Sequence, residues 1–419
     1  MRIVHTESSL GWGGQEIRIL SEAQGLRRRG HEVTLLCPPE ARIYSEAASW
    51  DVPTVALPIA KKRPNALGAL LRWFRAHRCD IVSTHSSTDS WLTALSLLVL
   101  GRPVPMVRTR HISAPVPTNA PTRWLYTRAT SRIVTTGEAL KKELVERNGF
   151  PSLRIDSVPT GVDPQRFRPG DRNAARAILK LSMDRPLVGI VATLRSWKGH
   201  RYLVQALAEL PANVGLVIVG DGPQRAGLEA LVDKHDLRSR TWFAGDQRDV
   251  LPWLQALDVF ALPSYANEGV PQALLQAMLV ALPCVTTSIG GIPELAKDGE
   301  TALVVAPEDV KELVKAIRNL LESADLRSRL GNAARQHCEK SFSYQQMLDR
   351  MERIYRQVSG RALDEAIPLS GRERAASCIV FLPPAPRGAQ EPALAGVCSD
   401  LARQPHPRAP VRGALGPLG

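Results

Sequence analysis

The 419-residue chain has little with which to staple itself, span a bilayer or stack bases. Its six cysteines (Cys37, Cys79, Cys284, Cys338, Cys378 and Cys398) form no C-x-x-C pair and have no histidine cluster beside them. That argues against a disulfide framework and a zinc site, and free thiols are expected. Aromatic residues are 5% and do not interleave with the basic runs, so the stacking platform of a nucleic-acid binder is missing. The longest apolar stretch, Trp91 to Leu100, is broken by Thr93 and Ser96 and falls far short of the ~20 residues of a membrane helix. The first residues reach Glu7 without an apolar core or a small-residue cleavage site. No secretory leader is therefore expected, and the reading is a cytoplasmic protein.

Acidic residues are also scarce, but unevenly so. Residues 1–184 hold 27 Lys/Arg against 16 Asp/Glu, residues 185–359 hold 20 against 20, and residues 360–419 hold 7 against 5. Nearly all of the net charge of +13 thus lies in the first half, at Arg27-Arg28-Arg29, Lys61-Lys62-Arg63, Arg72 to Arg78, Arg108 with Arg110, and Lys141-Lys142. A basic half beside a neutral one predicts an anionic partner on the first half, a phospholipid surface, a phosphorylated acceptor or nucleic acid, the last the least favoured of the three.

What is present is alternation. Short β-branched runs (Ile3-Val4, Val33 to Leu36, Ile81-Val82, Val107 to Thr109, Ile133-Val134, Ile155 to Val158) alternate with helical patterns such as Ile17 to Arg29. A second series runs from Leu187–Ala192 through Val214–Val219, Thr241–Ala244, Val259–Leu262 and Val285-Thr286 to Ala302–Val305. Its helix candidates include Tyr202 to Leu210 and Leu274 to Val280. Repeated βα units imply parallel sheets, so the fold class is α/β, with two tandem doubly wound, Rossmann-like domains. The expected boundaries are 1–160 for the first domain, 161–185 for a Pro/Gly-rich linker and 186–341 for the second domain. An amphipathic helix is expected within 342–362, and a tail lacking a fold over 363–419; nine prolines fall beyond residue 360.

Four motifs sit where α/β domains bind ligands, at strand carboxyl ends. Gly11-Trp12-Gly13-Gly14 follows the first strand and lets a backbone approach an anion at a helix start. Val219-Gly220-Asp221-Gly222-Pro223 is a glycine turn that departs from G-x-G-x-x-G, which disfavours a nicotinamide cofactor. Arg195-Ser-Trp-Lys198-Gly199 places two cations before a helix, where the dipole opposes them, and so implies a diphosphate between Arg195 as a fork and Lys198 as a point charge. Last is Ser264-Tyr-Ala-Asn267-Glu268-Gly269-Val270-Pro271, followed by a helix that carries Gln276. Here the N–H groups of Gly269 and Val270 would hold phosphate, Glu268 would accept sugar hydroxyls, and Gln276 would bond a ribose.

At this last motif the chain resembles the family-four retaining glycosyltransferases of GT-B architecture, marked by Glu-x7-Glu in an E-G-x-P context. The likeness covers residues 1 to about 358 and includes Gly13-Gly14-x-Glu16, Gly161-Val162-Asp163 with Phe167, Val219 to Pro223, and Gly290-Gly291-x-Pro293-Glu294. It implies two domains facing a central cleft, a nucleotide diphosphate sugar on the second domain, the acceptor on the first, and a last helix that crosses back. By the same likeness Glu268, with Asn267 beside it, meets the donor sugar. Arg195 and Lys198 hold the diphosphate with Gly14 across the cleft, and His111 lies against the sugar near the reacting carbon. No metal or other cofactor is expected, since Arg, Lys and helix N–H groups supply the positive charge and no Asp-x-Asp pair occurs. Two positions depart from the family: Gln276 stands where its second Glu falls, and Thr193 where an Arg falls, with Arg195 as the stand-in. A lipopolysaccharide or lipid-linked glycan acceptor, met at the inner face of the cytoplasmic membrane, follows from the basic first half. The rival readings are a catalytically weak nucleotide-sugar-binding protein, a GT-B sugar-nucleotide epimerase, a pyridoxal-dependent sugar phosphorylase and, last, a nucleic-acid binder.

Overall fold

The structure, a computed structural model, describes residues 1–360. The expected unfolded tail at 363–419 lies outside the described residues. Two all-parallel sheets carry the chain, and the central strands of both are runs rich in Val, Ile and Leu that are buried on both faces. The first contains β1 (Arg2–Thr6), β2 (Glu32–Cys37), β3 (Thr54–Ala56), β4 (Ile81–Thr84), β5 (Met106–Arg110), β6 (Arg132–Thr135) and β7 (Ile155–Ser157), in the order β3-β2-β1-β4-β5-β6-β7. The second contains β8 (Leu187–Val191), β9 (Gly215–Val219), β10 (Thr241–Gly245), β11 (Val259–Leu262), β12 (Cys284–Thr287) and β13 (Leu303–Val305), in the order β10-β9-β8-β11-β12-β13. In each sheet the order reverses beside the first strand, between β1 and β4 and between β8 and β11. A crevice opens at each such reversal.

The first domain's helices are α1 (Gly14–Arg28), α2 (Arg42–Glu46), α3 (Pro64–Ala76), α4 (Ser87–Val99), α5 (Ala120–Trp124) and α6 (Glu138–Glu146). Then come α7 (Arg172–Leu179), α8 (His200–Glu209), α9 (Arg225–Lys234), α10 (Leu251–Ala256), α11 (Gln272–Leu279), α12 (Val310–Glu322), α13 (Ala324–Ser341) and α14 (Tyr344–Val358). The segment 161–185, expected as a linker, holds a helix: Asp171 caps α7 by accepting from the backbone N–H of Asn173 and Ala174, and the helix packs on α10. Its Arg176 is buried and donates to the carbonyl of Ala256 at 2.8 Å and to Asp258 at 2.6 Å, which fixes the segment to the second domain.

Helix α14 belongs to the first domain's core. Met347, Leu348, Met351, Ile354 and Tyr355 recur at helical spacing and pack with Ile19, Leu20 and Ala23 of α1. The Tyr355 hydroxyl donates to Glu22 at 2.8 Å, and Arg29 of the first domain pairs with Glu352 at 3.0 Å. The chain therefore leaves the first domain at Val162 and re-enters it at Tyr344. The two crossings lie side by side, with Val162 N–H donating to Phe342 and Tyr344 N–H donating to Val162.

Candidate active site

The second domain builds its half of the site from the ends of β8, β11 and β12. Glu268 follows β11 and is 4% exposed. A lone buried carboxylate is costly, and this one is neutralised by Lys198, whose Nζ lies 2.7 and 2.9 Å from the two carboxylate oxygens. The Ser264 hydroxyl donates to the same carboxylate at 2.6 Å. Asn267, just before it, takes the left-handed conformation with φ 57°. Gly290, at φ +59°, lies so close to the Glu268 carbonyl that a Cβ would collide with it, and Gly291 N–H donates to that carbonyl at 3.3 Å. The glutamate's orientation is thus set from behind by the glycine turn after β12.

Across the cleft stand the first domain's strand ends. A Cβ on Gly269 would lie 2.7 Å from the carbonyl oxygen of His111, so the E-G turn and the end of β5 meet with no room for a side chain between them. Gly14 faces Gln272 at the start of α11, with Gln272 Oε1 3.6 Å from where a Gly14 Cβ would be. The positive ends of α1 and α11 therefore face one gap, a setting that favours an anion. Val270 leads into α11 and is buried, and Gln276 lies a turn further along the helix, also buried. Glu294 of the second domain reaches the start of α6, accepting from Ala139 N–H at 3.3 Å, and burial raises its pKa.

The two cations of the R-S-W-K run part company. Lys198 joins Glu268, whereas Arg195 is exposed with its guanidinium 5.8 Å over the ring of Trp197. Arg195 meets the Lys198–Glu268 pair through the backbone, its carbonyl accepting from the Lys198 N–H at 3.2 Å, while its guanidinium turns to Trp197. Thr193, at the departed Arg position, meets the glycine loop of the other domain, its hydroxyl 3.4 Å from the Trp12 carbonyl.

His111 does not stand alone. Its Nε2 lies 3.0 Å from His85 Nδ1, and His85 Nε2 lies 2.9 Å from His5 Nδ1, a chain of three imidazoles joining the ends of β5, β4 and β1. Desolvation holds His111 and His85 well below the ordinary histidine pKa, helped by Arg18 and Arg110 for the first and by the other two imidazoles and Arg18 for the second. His5 is lowered by the same burial. Neutral imidazoles in series share one proton per bond, so the tautomer of His5 fixes the tautomer of His111.

Beside that chain lies a carboxylate cluster that the motif reading did not single out. Glu7 accepts from Ser9 N–H at 2.7 Å and from the Ser86 hydroxyl. Asp89 accepts from the Thr6 hydroxyl at 2.8 Å and from the N–H groups of His85 and Ser86 at 2.9 and 2.8 Å. Burial, more than any neighbour, raises the pKa of Glu7, Asp89 and Glu16, the last to about 7. The readable signal was polar crowding at two strand ends, H-T-E-S-S after β1 and T-H-S-S-T-D after β4, where a plain core strand would end in ordinary turn residues.

Two doubly wound parallel domains whose strand ends face each other, with an ion-paired glutamate on one side and a histidine on the other, define a glycosyltransferase of the GT-B class. Residues 12–166 match the model described as Glycosyltransferase Family 4, and residues 171–337 match glycosyl transferases group 1. The chain belongs to the group 1 glycosyltransferases. It is similar to the D-inositol 3-phosphate glycosyltransferase of Mycobacterium tuberculosis, 29% identical over 395 residues, which cover 83% of this chain and 79% of that protein. Among solved structures, HepE of Anabaena in complex with UDP-glucose superposes with a TM-score of 0.77 at 20% identity, over 85% of this chain and all of its own. WaaG, a glycosyltransferase involved in lipopolysaccharide biosynthesis, gives 0.66 at 19% identity, over 85% of this chain and 100% of its own. Such identities speak for the fold.

Proposed function

We propose that this glycosyltransferase moves a sugar from a nucleotide diphosphate sugar to a hydroxyl of a lipid-linked or lipopolysaccharide glycan acceptor, retaining the anomeric configuration, at the inner face of the cytoplasmic membrane. The observation that carries the reading is the Lys198–Glu268 pair, held beside the facing starts of α1 and α11 and opposite His111. The gap between Gly14 and Gln272 receives the diphosphate. Lys198 has three N–H donors and gives two to Glu268, which leaves one for a phosphate oxygen, while Glu268 orients the sugar hydroxyls. The charge at the leaving group is met by Lys198 and helix N–H groups, so the reading calls for no metal.

In this reaction the bond from the anomeric carbon to the diphosphate oxygen breaks, and one to the acceptor oxygen forms on the same face. The acceptor proton passes to the departing phosphate. The protein's part is to position both substrates, expel water and stabilise the leaving charge. A UDP-sugar donor is supported by the likeness to HepE, whose structure holds UDP-glucose, and a lipopolysaccharide-type acceptor by the likeness to WaaG, a glycosyltransferase involved in lipopolysaccharide biosynthesis. One observation favours a second reading, a donor-binding protein with weak catalysis: Thr193 contacts Trp12 where the family carries an Arg.

Thermal melting with UDP, GDP, ADP and CMP, each free and as sugar conjugate, tests the reading. A ligand bound only by the native state raises the midpoint by mass action. A selective rise with one nucleoside diphosphate, lost in Glu268→Ala or Lys198→Ala, supports it; no rise with any of them refutes the site. Donor binding without sugar transfer to any acceptor would put the second reading ahead.

A further inference from the structure

Helix α4 begins at the site and ends far from it. Ser86 caps it while touching Glu7, and its 13 residues then run outward for about 20 Å. Its inner face is buried, but its outer face is apolar as well. Trp91, Leu95, Leu98 and Val99 fall at helical spacing, with Leu98 62% and Val99 65% exposed. An outward helix face of this composition is unlike the polar face a surface helix ordinarily shows to water.

The surroundings of this stripe are basic to an unusual degree. From Val52 to Gly137 the chain has twelve Lys/Arg and two Asp. Of the two, Asp80 pairs with Arg2 and Asp89 is buried in the first turn of α4, where it closes the helix's capping box. Lys62 stands 5.7 Å over the ring of Trp91, and Trp91 stacks on Trp124 of α5 with centroids 5.9 Å apart. Trp124 in turn lines an open cavity of about 480 Å³ whose wall carries Arg123, Arg128 and Arg154 and no acidic residue. Arg154 is held there by the Thr127 carbonyl, and Leu153, next to it in the chain, is 86% exposed.

We infer that this face, α4 with α5 and the arginine-lined cavity, is where the protein lies on an anionic phospholipid bilayer, with a lipid phosphate seated among Arg123, Arg128 and Arg154. The inference deepens the proposed function and rests on its lipid-linked acceptor. Three features fit one occupant together: aliphatic side chains that enter the acyl boundary, indoles suited to the headgroup level, and cations at the rim. A nucleic acid would use the cations but would leave Leu98, Val99 and Leu153 in water. Because α4 starts at His85–Ser86, a bilayer along its outer face runs beside the first-domain wall of the cleft, where a membrane-bound acceptor arrives.

The test is sedimentation of the full chain with vesicles of phosphatidylglycerol and phosphatidylcholine in equal parts, and with phosphatidylcholine alone, at low and high salt. Expected is binding to the anionic vesicles that weakens with salt. It should fall at least tenfold in Arg123→Glu/Arg128→Glu, since each lost charge is worth about fivefold, and also in Leu98→Asp/Val99→Asp. The charge-matched change on the second domain, Lys311→Glu/Lys315→Glu, should leave it intact. All three variants should keep the wild-type melting response to nucleotide, because none touches the cleft. Wild-type protein that ignores anionic vesicles overturns the inference. So does vesicle binding that these first-domain variants leave unchanged, and so does a loss in the arginine variant alone accompanied by equal loss of binding to a soluble polyanion such as heparin. In each case an intact nucleotide response keeps the donor-site reading standing, so the two can fail separately.

Discussion

Lys198 and Glu268 neutralise each other in a buried setting, and that pairing ranks the carboxylates of this chain. On the proposed function Glu268→Ala removes a contact to the donor sugar and leaves Lys198 without its counter-charge, so kcat should fall by roughly 10²–10³, the scale of one lost transition-state donor or acceptor in a dry site. Glu16→Ala should cost far less turnover, and single-turnover rates of the two variants compared side by side check this. Glu16 has another use as a pH probe. Its pKa is raised to about 7 by burial and then by Glu7, so the folded state holds a proton that the unfolded chain releases near 4.5. Stability from this group is full below about 4.5 and is lost as the pH rises through 7, by up to ~3 kcal/mol. Urea titrations at several pH values should show Glu16→Gln gaining on the wild type across that window and levelling above it. The lowered histidines act in the opposite sense, since His5, His85 and His111 favour the folded state above about 6.5 and lose that contribution as the pH falls. His85 is also the middle of the imidazole chain. His85→Phe should lower kcat by about tenfold to a hundredfold while leaving the nucleotide Kd unchanged, because it frees His111 without touching the donor side. His85→Gln should recover part of the loss, and equal losses in both variants would mark His85 as merely structural. His111 was named through the family likeness alone; its imidazole partners were not named, because the pairing joins strand ends about 80 residues apart, and only the sheet order brings β1, β4 and β5 together.

At the scale of elements, twelve of the thirteen strands stand where β-branched runs announce them, because a strand buried on both faces has little choice but Val, Ile and Leu. The exceptions are instructive. Strand β3 is three residues at a sheet edge with only half-buried and exposed side chains, too short to leave a period in the sequence. Helix α7 hides in a segment whose prolines and glycine suggest a linker, and its signal was a cap, Asp171, followed by a stripe that packs on α10. In the site, the E-G-V-P motif was readable as a helix start, but the turn that supports it from behind belongs to another strand. Gly290 makes that support testable. Alanine there would be strained at φ +59° and would collide with the Glu268 carbonyl, so Gly290→Ala should destabilise by roughly 1–3 kcal/mol and weaken nucleotide binding in the same preparation. Gly227, inside α9 with open space around its Cα, should respond the other way. Gly227→Ala should stabilise by up to ~1 kcal/mol and leave the nucleotide response untouched. Melting curves of both variants with and without nucleotide separate local backbone strain from loss of the site.

The whole molecule adds a second set of contacts between the two domains, away from Glu268. Arg42 of α2 pairs with Asp246 after β10, and Arg248 pairs with Glu46 of α2 at 3.0 Å, a reciprocal exchange of charge across the cleft. The Arg42 guanidinium also lies 4.9 Å over Trp12 of the glycine loop, so the same residue touches the loop that faces the donor gap. These side chains are partly exposed, and each such pair is worth only about 0.2–1 kcal/mol. On the proposed function these contacts would act as a latch, strong enough to favour a closed arrangement and weak enough to open in each cycle. If the domains close over the donor, closure excludes water from the leaving diphosphate, and loss of the latch should appear in donor affinity rather than in global stability. In a cycle of Arg42→Ala, Asp246→Ala and the double variant, the coupling measured on the nucleotide-sugar Kd should be roughly 0.5–1 kcal/mol at low salt. It should vanish near 1 M salt, where the screening length shrinks to about 3 Å. The melting midpoints without ligand should move by little in either variant. A coupling of zero at low salt would mean that the α2 contacts form without bearing on closure, and a coupling that survives high salt would mean that the pair is more deeply desolvated when donor is bound.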